Sequence, residues 1–574
     1  MWTFFRKAIG GRSDNFRARR RLFFEPLEER RVLAGNVLAA LDFAGNLSLT
    51  GDGLDNDVTI TFTADNTVDI TGNAGTTIVG PATGVSVTGS IRASLLGGND
   101  DLTVVGGNFD LLGGGINYLG GTGDNDLTVS DLSLASNLLV QNSPNGVPPA
   151  SPSETIVSNL TATGVSVFNG ANTSTVTTIS GSTIAGSILI SNPSGGSHSI
   201  LLQNLLGVTS ISATNGSATT SNSITLDGVD MNDAAIGGAI LRNGNSGGSN
   251  FIDVRGAATD IRGSLSAANG FAGTTNFTEI REGAVSGNMT LTNGNATTSA
   301  ASRLGDIALV TVGGNLLATN GTSGSNSLRL DRALVAAGRS TTLLNGSSTV
   351  GENAIIIGAA PVTLGGGLIA MNGTSAANNR IEIEQATIGT AGGAVDNVLL
   401  QNGNVGAGMI SLVELGDVAN VAIADGGLTI FDGAGNGLID FIRATIAGGL
   451  NIQAGAGNNT INLAVLAGAT MSVAGTTNVS TQGGMDTLSI GTGGGIAVLD
   501  SIFASLGAGN DILNIGAGAA GGSAFASTAG FLFDGGAGSD TANIEAAVNA
   551  ALFGPPITPP AAARFLNFET INVV

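Results

Sequence analysis

Cysteine is absent from this sequence of 574 residues, and aromatic residues make up only 4% of it. Without cysteine neither a disulfide framework nor a thiolate metal site can form, so a stable fold must rest on hydrogen bonds and packing. Lysine is nearly absent too, since Lys7 in the first 31 residues is the only one. Residues 32–574 contain twelve Arg against thirty-eight Asp and Glu. An acidic surface of this kind repels nucleic acid and anionic lipid, so we expect no nucleic-acid partner.

Apolar runs of the ~18 residues that a membrane helix needs are also missing, so we expect no membrane span. Hydrophobic residues nevertheless make up 42% of the chain and the mean hydropathy is +0.32, which is too apolar for a disordered protein. Glycine accounts for 91 residues. A single globular core stops growing near ~250–300 residues, so the composition favours a fold that grows along one axis in thin layers of Val, Ile, Leu and Ala.

A short apolar alternation that ends in Asn-Gly recurs along the body of the chain. The Asn-Gly steps begin at Asn169, Asn215, Asn243, Asn269, Asn293, Asn320, Asn345, Asn372 and Asn402, and related steps at Asn142, Asn192, Asp432 and Ala454 fill the gaps. The intervals of 22 to 30 residues match one coil of a solenoid. Asn and Gly suit the corners because both accept positive φ. The sequence thus predicts an all-β fold, a parallel β-helix of about twenty coils with a repeat of about 26 residues.

The same dipeptide is the strongest short signal for a β-hairpin, so antiparallel pairs are the alternative to a solenoid. In this chain six to eight small polar residues usually follow each Asn-Gly, which fits a solenoid corner better than a tight turn.

Charged residues of the body gather 8–13 positions after each Asn and alternate with apolar residues. In Ser327-Leu328-Arg329-Leu330-Asp331 the leucines fall on one side of a strand and the charges on the other. Stacked coils would line these charges into a mixed-sign stripe. The stripe is either a solvated face held by weak ion pairs or a docking strip for another envelope molecule.

The N-terminal segment, residues 1–34, is basic and runs into a weak apolar stretch. Its pattern alone fits an amphipathic helix as well as a targeting signal. The sequence Phe24-Glu25-Pro26-Leu27-Glu28-Glu29-Arg30-Arg31-Val32-Leu33-Ala34 resembles the LEPR-XLL leader of large secreted planctomycete proteins. This resemblance implies export to the envelope or the exterior.

Corners of another kind, with Gly and Asp, occur near both ends of the body. Examples are Gly97-Gly98-Asn99-Asp100, Gly123-Asp124-Asn125-Asp126, Gly507-Ala508-Gly509-Asn510-Asp511 and Gly535-Gly536-Ala537-Gly538-Ser539-Asp540. They resemble the Gly-Gly-x-Gly-x-Asp nonapeptide of calcium-binding β-rolls. The resemblance implies Ca²⁺ as the one candidate cofactor, with Asp100, Asp126, Asp511 and Asp540 as candidate ligands. The copies are isolated and uneven in length, so corners without metal are the alternative.

Catalysis is weakly supported by the residue types. Parallel β-helices also include polysaccharide lyases and hydrolases, which need convergent carboxylates and a base in a cleft. The best carboxylate set is Asp227, Asp230 and Asp233, whose spacing by three does not force the side chains together, and His198 is expected in an exposed corner.

Together these observations divide the chain into a leader (1–34), N-terminal coils with Gly-Asp corners (35–135), central Asn-Gly coils (136–465), C-terminal coils with Gly-Asp corners (466–550) and a Pro-rich loop with a capping strand (551–574). We predict an exported structural or adhesive β-solenoid at the cell surface or outside the cell, without catalytic activity. Its expected partner is a component of the cell envelope or extracellular matrix. A calcium-binding module and a carbohydrate-active enzyme are the alternatives.

Overall fold

The computed structural model describes residues 35–142, 152–170, 174–231, 237–305, 308–391, 396–516, 525–545 and 564–573. Their regular secondary structure is β-strand, apart from one short 3₁₀ turn at Thr492–Gly494, and turns and short loops join the strands. The strands stack in parallel into a β-solenoid of about 16 turns spaced by about 26 residues. The predicted fold class and repeat length are therefore confirmed. The number of coils rises from about 16 to about twenty when the end coils are included, in which the described strands lie on only two faces.

Each complete coil has three strands, which lie on three faces of the rod. In one coil Leu316–Asn320 lies on face 1, Ser325–Leu330 on face 2 and Ala333–Val335 on face 3. The chain then returns to face 1 with Thr341–Asn345, which pairs in parallel with Leu316–Asn320 and sets Asn345 opposite Asn320. The hairpin interpretation of the Asn-Gly steps is therefore wrong, because each step lies at a corner between two faces.

Face 1 is formed by Leu47–Thr50, Ile91–Ser94, Ile116–Gly121, Leu138–Asn142, Val165–Phe168, Ser187–Asn192, Ser210–Asn215, Ala239–Asn243, Leu265–Asn269, Met289–Asn293, Leu316–Asn320, Thr341–Asn345, Leu368–Asn372, Val398–Asn402, Leu428–Asp432, Leu450–Ala454, the ends of Thr470–Ser480, Ile496–Ser505 and Phe525–Asp534, and Phe565–Leu566. Face 2 is formed by Asp57–Ala64, Asp100–Leu111, Asn125–Leu134, Ser153–Ala162, Thr175–Ser180, His198–Val208, Asn222–Met231, Asn250–Arg255, Thr275–Ile280, Ser299–Leu304, Ser325–Leu330, Asn353–Ile357, Asn379–Ile383, Ile410–Leu415, Asn436–Phe441, Thr460–Leu463, Thr487–Ile490, Ile512–Ile515, Thr541–Ile544 and Thr570–Val573. Face 3 contains Thr183–Ile184, Asp260–Ile261, Gly283–Val285, Val310–Val312, Ala333–Val335, Val362–Leu364, Ala386–Ile388, Val421–Ile423 and Arg443–Ile446, with the ends of the longest face 2 strands and the starts of the three long strands that continue into face 1.

The two ends of the stack differ. At the N-terminal end, Asn36–Leu41 pairs antiparallel with Leu47–Thr50 and also in parallel with Thr77–Val79. Thr67–Asn73 pairs antiparallel with both Asp57–Ala64 and Val85–Ser86. These antiparallel pairs, which the repeat did not predict, cover the first edge of the parallel sheets and so prevent it from pairing with another chain.

At the C-terminal end a single capping strand over residues 565–574 was expected. The described residues instead form two short strands, Phe565–Leu566 and Thr570–Val573, which continue the parallel pairing of faces 1 and 2. The segment adds one further, partial coil.

The core is one continuous column of aliphatic side chains that point inward from all three faces. In the coil described above, Leu316, Ala318, Leu328, Leu330 and Val335 are all buried. Their alternation with half-exposed residues follows the two-residue period of a strand. None of the described residues forms a helix of the length and apolar character that a membrane crossing requires.

The glycine of each Asn-Gly step serves close packing between coils and not the positive φ that we expected. Gly321, for example, has no positive φ, and neither has Asn320. A Cβ atom on Gly321 would lie 2.5 Å from Asn295 Oδ1 and 2.8 Å from the carbonyl carbon of Gly294 in the preceding coil. Coils of a parallel stack lie only ~4.8 Å apart, so a side chain at this corner would push the two backbones apart.

Candidate functional site: the corner between faces 1 and 2, and the charged face

The asparagines that end the face 1 strands form a buried ladder inside the corner between faces 1 and 2. We call this series the amide ladder: Asn142, Asn169, Asn192, Asn215, Asn243, Asn269, Asn293, Asn320, Asn345, Asn372 and Asn402. Each Nδ2 donates to Oδ1 of the next member over 2.6 to 3.0 Å. The bonds all run in one direction because every amide presents its oxygen to the preceding coil.

Asp432 takes the next position after Asn402 and ends the amide ladder. It is 6% exposed, and the Ser411 hydroxyl donates to its Oδ1. Burial raises the pKa of Asp432 to about 7, against the opposing effect of its hydrogen bonds from Ser411 and Asn402. The carboxyl group of Asp432 can accept the hydrogen bond of the ladder, but it has no amide hydrogens to donate to the next coil. The residue at this position in the next coil is Ala454.

A second set of buried amides and carboxylates lies at the start of the face 2 strands. Asn222, Asn250 and Asn276 are linked by amide bonds of 3.1 and 3.0 Å. In the C-terminal coils the same place is taken by Asn459 and then by three carboxylates, Asp486, Asp511 and Asp540, which we call the carboxylate corner.

The carboxylate corner is held by backbone N–H groups of the preceding coils. Oδ1 of Asp486 accepts from the Asn459 N–H at 2.8 Å, Oδ1 of Asp511 from the Asp486 N–H at 2.8 Å, and Oδ1 of Asp540 from the Asp511 N–H at 2.7 Å. All three side chains are at most 1% exposed, yet the second oxygen, Oδ2, of each has no hydrogen-bond partner within the described residues. Buried polar atoms are seldom left unpaired, so these three oxygens need an explanation.

The four predicted metal ligands do not come together as one group. Asp511 and Asp540 lie on consecutive coils, as expected for a repeated site. Asp100 is a buried residue at the opposite end of the rod, where its Oδ1 accepts from the N–H of Asn56 at 2.8 Å. Asp126 pairs with Asp101 and not with Asp100, so it points to the outer side of face 2. Asp486 was not among the predicted ligands, although Gly483-Gly484-Met485-Asp486 carries the same Gly-Gly and Asp signal in a shorter form.

Burial raises the pKa of both the inward and the outward candidate ligands, so the pKa shifts do not separate the two groups. Burial raises the pKa of Asp100 to about 7 and that of Asp511 to about 6, because little solvent reaches either carboxyl group. The pKa of Asp126 also rises to about 6, mainly through burial and with help from the negative charges of its neighbours. Across the described ranges no three His, Cys, Asp or Glu side chains converge on a single metal position.

The predicted charged stripe is present on face 2. One outward position runs in register through Asp253, Glu279, Arg303 and Arg329, is interrupted by Ile356, and continues through Glu382, Glu414 and Asp440; we call this series the charged column. Several of its members are more buried than a solvated face requires, and Asp253 is only 1% exposed.

Ion pairs explain the burial of Asp253. Arg281 Nε lies 3.2 Å from Asp253 Oδ1 and 2.9 Å from Glu279 Oε2, and Arg255 Nη1 lies 3.3 Å from Asp253 Oδ2. The guanidinium groups therefore cover the carboxylates beneath them.

The far end of the charged column is acidic. Burial raises the pKa of Glu414 to about 7, and the nearby carboxylates of Asp417, Glu382 and Asp440 raise it further. Arg380 donates to Glu382 over 3.0 Å, and Arg443 donates to the carbonyl oxygen of Asp417 over 2.7 Å. Glu382 is therefore ion-paired, whereas Glu414 and Asp440 have no ion pair within the described part of the chain, so negative charge accumulates toward this end of the column.

Face 1 differs sharply from face 2, since its outward residues in the central coils are, apart from the exposed Arg242, hydroxyl, amide and apolar side chains. One outward position runs through Thr292, Thr319, Leu344, Met371 and Gln401. The rod therefore presents one charged and one largely uncharged flat surface.

The N-terminal segment matches one known family. Residues 18–37 match the model of a family described as Planctomycete extracellular. The match supports an extracellular or cell-surface location for this protein. It covers a small part of the chain, and residues 18–34 of it lie outside the described residues. No curated protein and no solved structure matches the chain.

The residues considered for catalysis are spread over different faces. Asp227 is ion-paired with Arg255 at 3.2 Å, whereas Asp230 lines a shallow groove of about 520 Å³ on face 3 together with Asp260 and Arg262. Asp233 lies outside the described residues.

The histidine also lies elsewhere than expected. His198 is not in an exposed corner: it is 2% exposed, begins a face 2 strand and has its Nδ1 2.9 Å from Thr175 Oγ1. Burial lowers its pKa to about 4, so it is neutral near pH 7.

Proposed function

We propose that this protein is an exported structural rod of the cell surface that binds a component of the cell envelope or extracellular matrix through face 2, without catalysing a reaction. The charged column carries the proposal. Its side chains follow one another at the ~4.8 Å spacing of the coils along one flat face, and its half-exposed acidic end, Glu382, Glu414 and Asp440, suits a partner that carries positive charges.

The N-terminal segment supports export. Its likeness to the LEPR-XLL leader and the family match over residues 18–37 both point to a protein that works outside the cell. The composition agrees, because a fold without cysteine is stable whatever the redox state of the compartment.

Binding to isolated planctomycete cell envelopes tests the proposal. The purified full chain should sediment with the envelopes, and salt should weaken the binding because exposed charges are screened within about 8–10 Å at 0.1–0.15 M ionic strength. The variant E382Q/E414Q/D440N should lose at least about tenfold in affinity, which is about 1.4 kcal/mol.

The matched control is T292A/T319A on face 1, where two half-exposed hydroxyl groups occupy neighbouring coils. We expect it to bind as the wild type does. Equal binding by the charged-column variant, or binding that salt does not change, would contradict the proposed role of face 2.

The non-catalytic part of the proposal has its own test. Incubation with envelope polysaccharides should release no new reducing ends and form no unsaturated sugars. Product that disappears in the D230N/D260N variant would instead assign a carbohydrate-active site to the groove on face 3.

A further inference from the structure

The asparagine corners show what the start of a face 2 strand requires. Asn459 Nδ2 donates to the carbonyl oxygens of Gly455 and Gly457, four and two residues earlier, over 2.9 and 3.0 Å. Asn125 Nδ2 donates in the same way to the carbonyls of Gly121 and Gly123 over 3.3 and 3.2 Å. The Gly-rich corner therefore turns two carbonyl oxygens inward, and the asparagine amide supplies the positive hydrogens that they face.

The carboxylate corner repeats this backbone: the glycines two residues before its aspartates have φ of 133° to 156°, and Gly457, two residues before Asn459, has φ of 132°. It places an acceptor where the asparagine corner has a donor. Asn459 Oδ1 accepts the N–H of Gly437 at 3.1 Å, as Oδ1 of each of the three aspartates accepts the N–H of the preceding coil. Oδ2 of each aspartate consequently takes the place of the amide nitrogen. An ionised carboxylate there has no hydrogen to offer to the carbonyls, and Oδ2 has no hydrogen-bond partner among the residues that the structure describes, in a side chain that is at most 1% exposed.

The carboxylate of the next coil adds a further oxygen close to each Oδ2 atom. Asn459 Nδ2 also donates to Asp486 Oδ1 over 2.9 Å, so the amide site of one coil touches the carboxylate of the following coil. The same relation places the carboxylate of Asp511 beside that of Asp486, and that of Asp540 beside that of Asp511. The last described coil contributes Glu569, whose Oε2 accepts the Asp540 N–H at 2.6 Å.

We propose that the carboxylate corner binds hard divalent cations of the Ca²⁺ class inside the rod, one between Asp486 and Asp511 and one between Asp511 and Asp540. The ligands are Oδ2 of one aspartate, the two inward carbonyls of its own corner and the carboxylate of the next coil. Ca²⁺ prefers such carboxylate and carbonyl oxygens and tolerates irregular geometry. The two ions replace the positive hydrogens of the asparagine amide at the corners of Asp486 and Asp511. We assign no third ion to the corner of Asp540, because Glu569 in the next coil is exposed to solvent, whereas Asp511 and Asp540 are buried.

This site differs from the one that the sequence suggested. The proposed site does not require three carboxylates around one ion. It includes Asp486 and excludes Asp126, which lies on the outer side of face 2. Asp100 has an unpaired Oδ2 as well, but the next coil presents Asn125 and not a second carboxylate. We therefore assign no ion to Asp100, which makes this residue an internal control.

Calcium titration of the full chain tests the assignment, independently of any envelope binding. After exhaustive removal of metal with EDTA at pH 7.5, the wild type should bind about two Ca²⁺ per chain by isothermal titration calorimetry and melt several degrees higher in CaCl₂ than in EDTA. D486N/D511N/D540N should lose this binding and show the same melting temperature in both buffers. In EDTA it should be at least as stable as the wild type, because each new amide repeats the Asn459 contacts.

Two further variants separate this site from others. D100N and the surface variant E382Q/E414Q should keep the full calcium response, and the single variant D511N should lose both ions because Asp511 is shared. An identical wild-type melting temperature in EDTA and CaCl₂, or a D511N response equal to that of the wild type, would overturn the proposal. Comparison of the wild type with and without metal needs no substitution, so a variant that fails to fold does not remove the test.

Discussion

Replacing Asn320 by alanine interrupts the amide ladder in the middle of the rod. Asn320 accepts a hydrogen bond from Asn293 at 3.0 Å and donates to Ser327 O and to Asn345 Oδ1, both at 2.9 Å. Asn293 keeps two other acceptors, the Ala301 carbonyl at 2.7 Å and the Ser302 hydroxyl at 3.0 Å. Loss of the amide therefore costs most at Asn345 Oδ1, which loses its donor from the preceding coil.

The magnitude follows from these contacts. An unpaired buried acceptor costs about 1–3 kcal/mol, and each remaining hydrogen bond contributes about 1 kcal/mol net. The removed side chain also leaves a small cavity. We expect N320A to lower the free energy of unfolding by about 3–4 kcal/mol, far more than T319A, which removes a half-exposed outward hydroxyl from the same strand and should change it by less than about 0.5 kcal/mol.

Urea unfolding followed by circular dichroism measures the difference, and hydrogen exchange locates it. A solenoid unfolds through neighbouring repeats, so protection should fall first in the coils next to Asn320. N320D keeps the shape but turns both donors into an acceptor, so it should be at least as damaging as N320A at pH 8 and milder near pH 4, where a protonated carboxyl can donate. If N320A is no more destabilising than T319A, the amide ladder does not hold the corner.

Three other substitutions probe the corner and the charged face. The pKa of Asp432 in the folded protein, about 7, lies above its ordinary value of 3.8, so its stabilising effect is complete below about pH 4 and is lost as the pH rises through 7. D432N should remove this pH dependence in urea melts and be the more stable protein at pH 8. R281A removes one of the positive charges beside buried Asp253, which raises the Asp253 pKa further. It should lower the free energy of unfolding by about 1–3 kcal/mol at pH 7 but by less at pH 4. F277L removes the stacking of Phe277 on Phe251, whose ring centroids are 5.3 Å apart, and should cost about 0.5–1.5 kcal/mol in the same melts.

The sequence by itself was sufficient for the architecture. The recurrence of Asn-Gly every 22 to 30 residues and the two-residue alternation in segments such as Leu328-Arg329-Leu330 are local patterns, and a parallel stack repeats them without change in every coil. The charged stripe followed from the same alternation. These features needed no knowledge of which coil pairs with which, because every coil has the same neighbours.

The buried polar groups were decided only by the tertiary structure. Whether an Asp faces inward, as Asp100 does, or outward, as Asp126 does, depends on the register of the paired strands, in which Asp100 lies opposite Asn125 and Asp126 lies opposite Asp101. The Asn of each Asn-Gly step was expected to serve backbone conformation, yet Asn320 acts through an amide ladder that exists only when coils stack. The unpaired oxygens of the carboxylate corner also depend on the stacking of the coils, because the neighbouring coils decide whether a buried acceptor finds a donor.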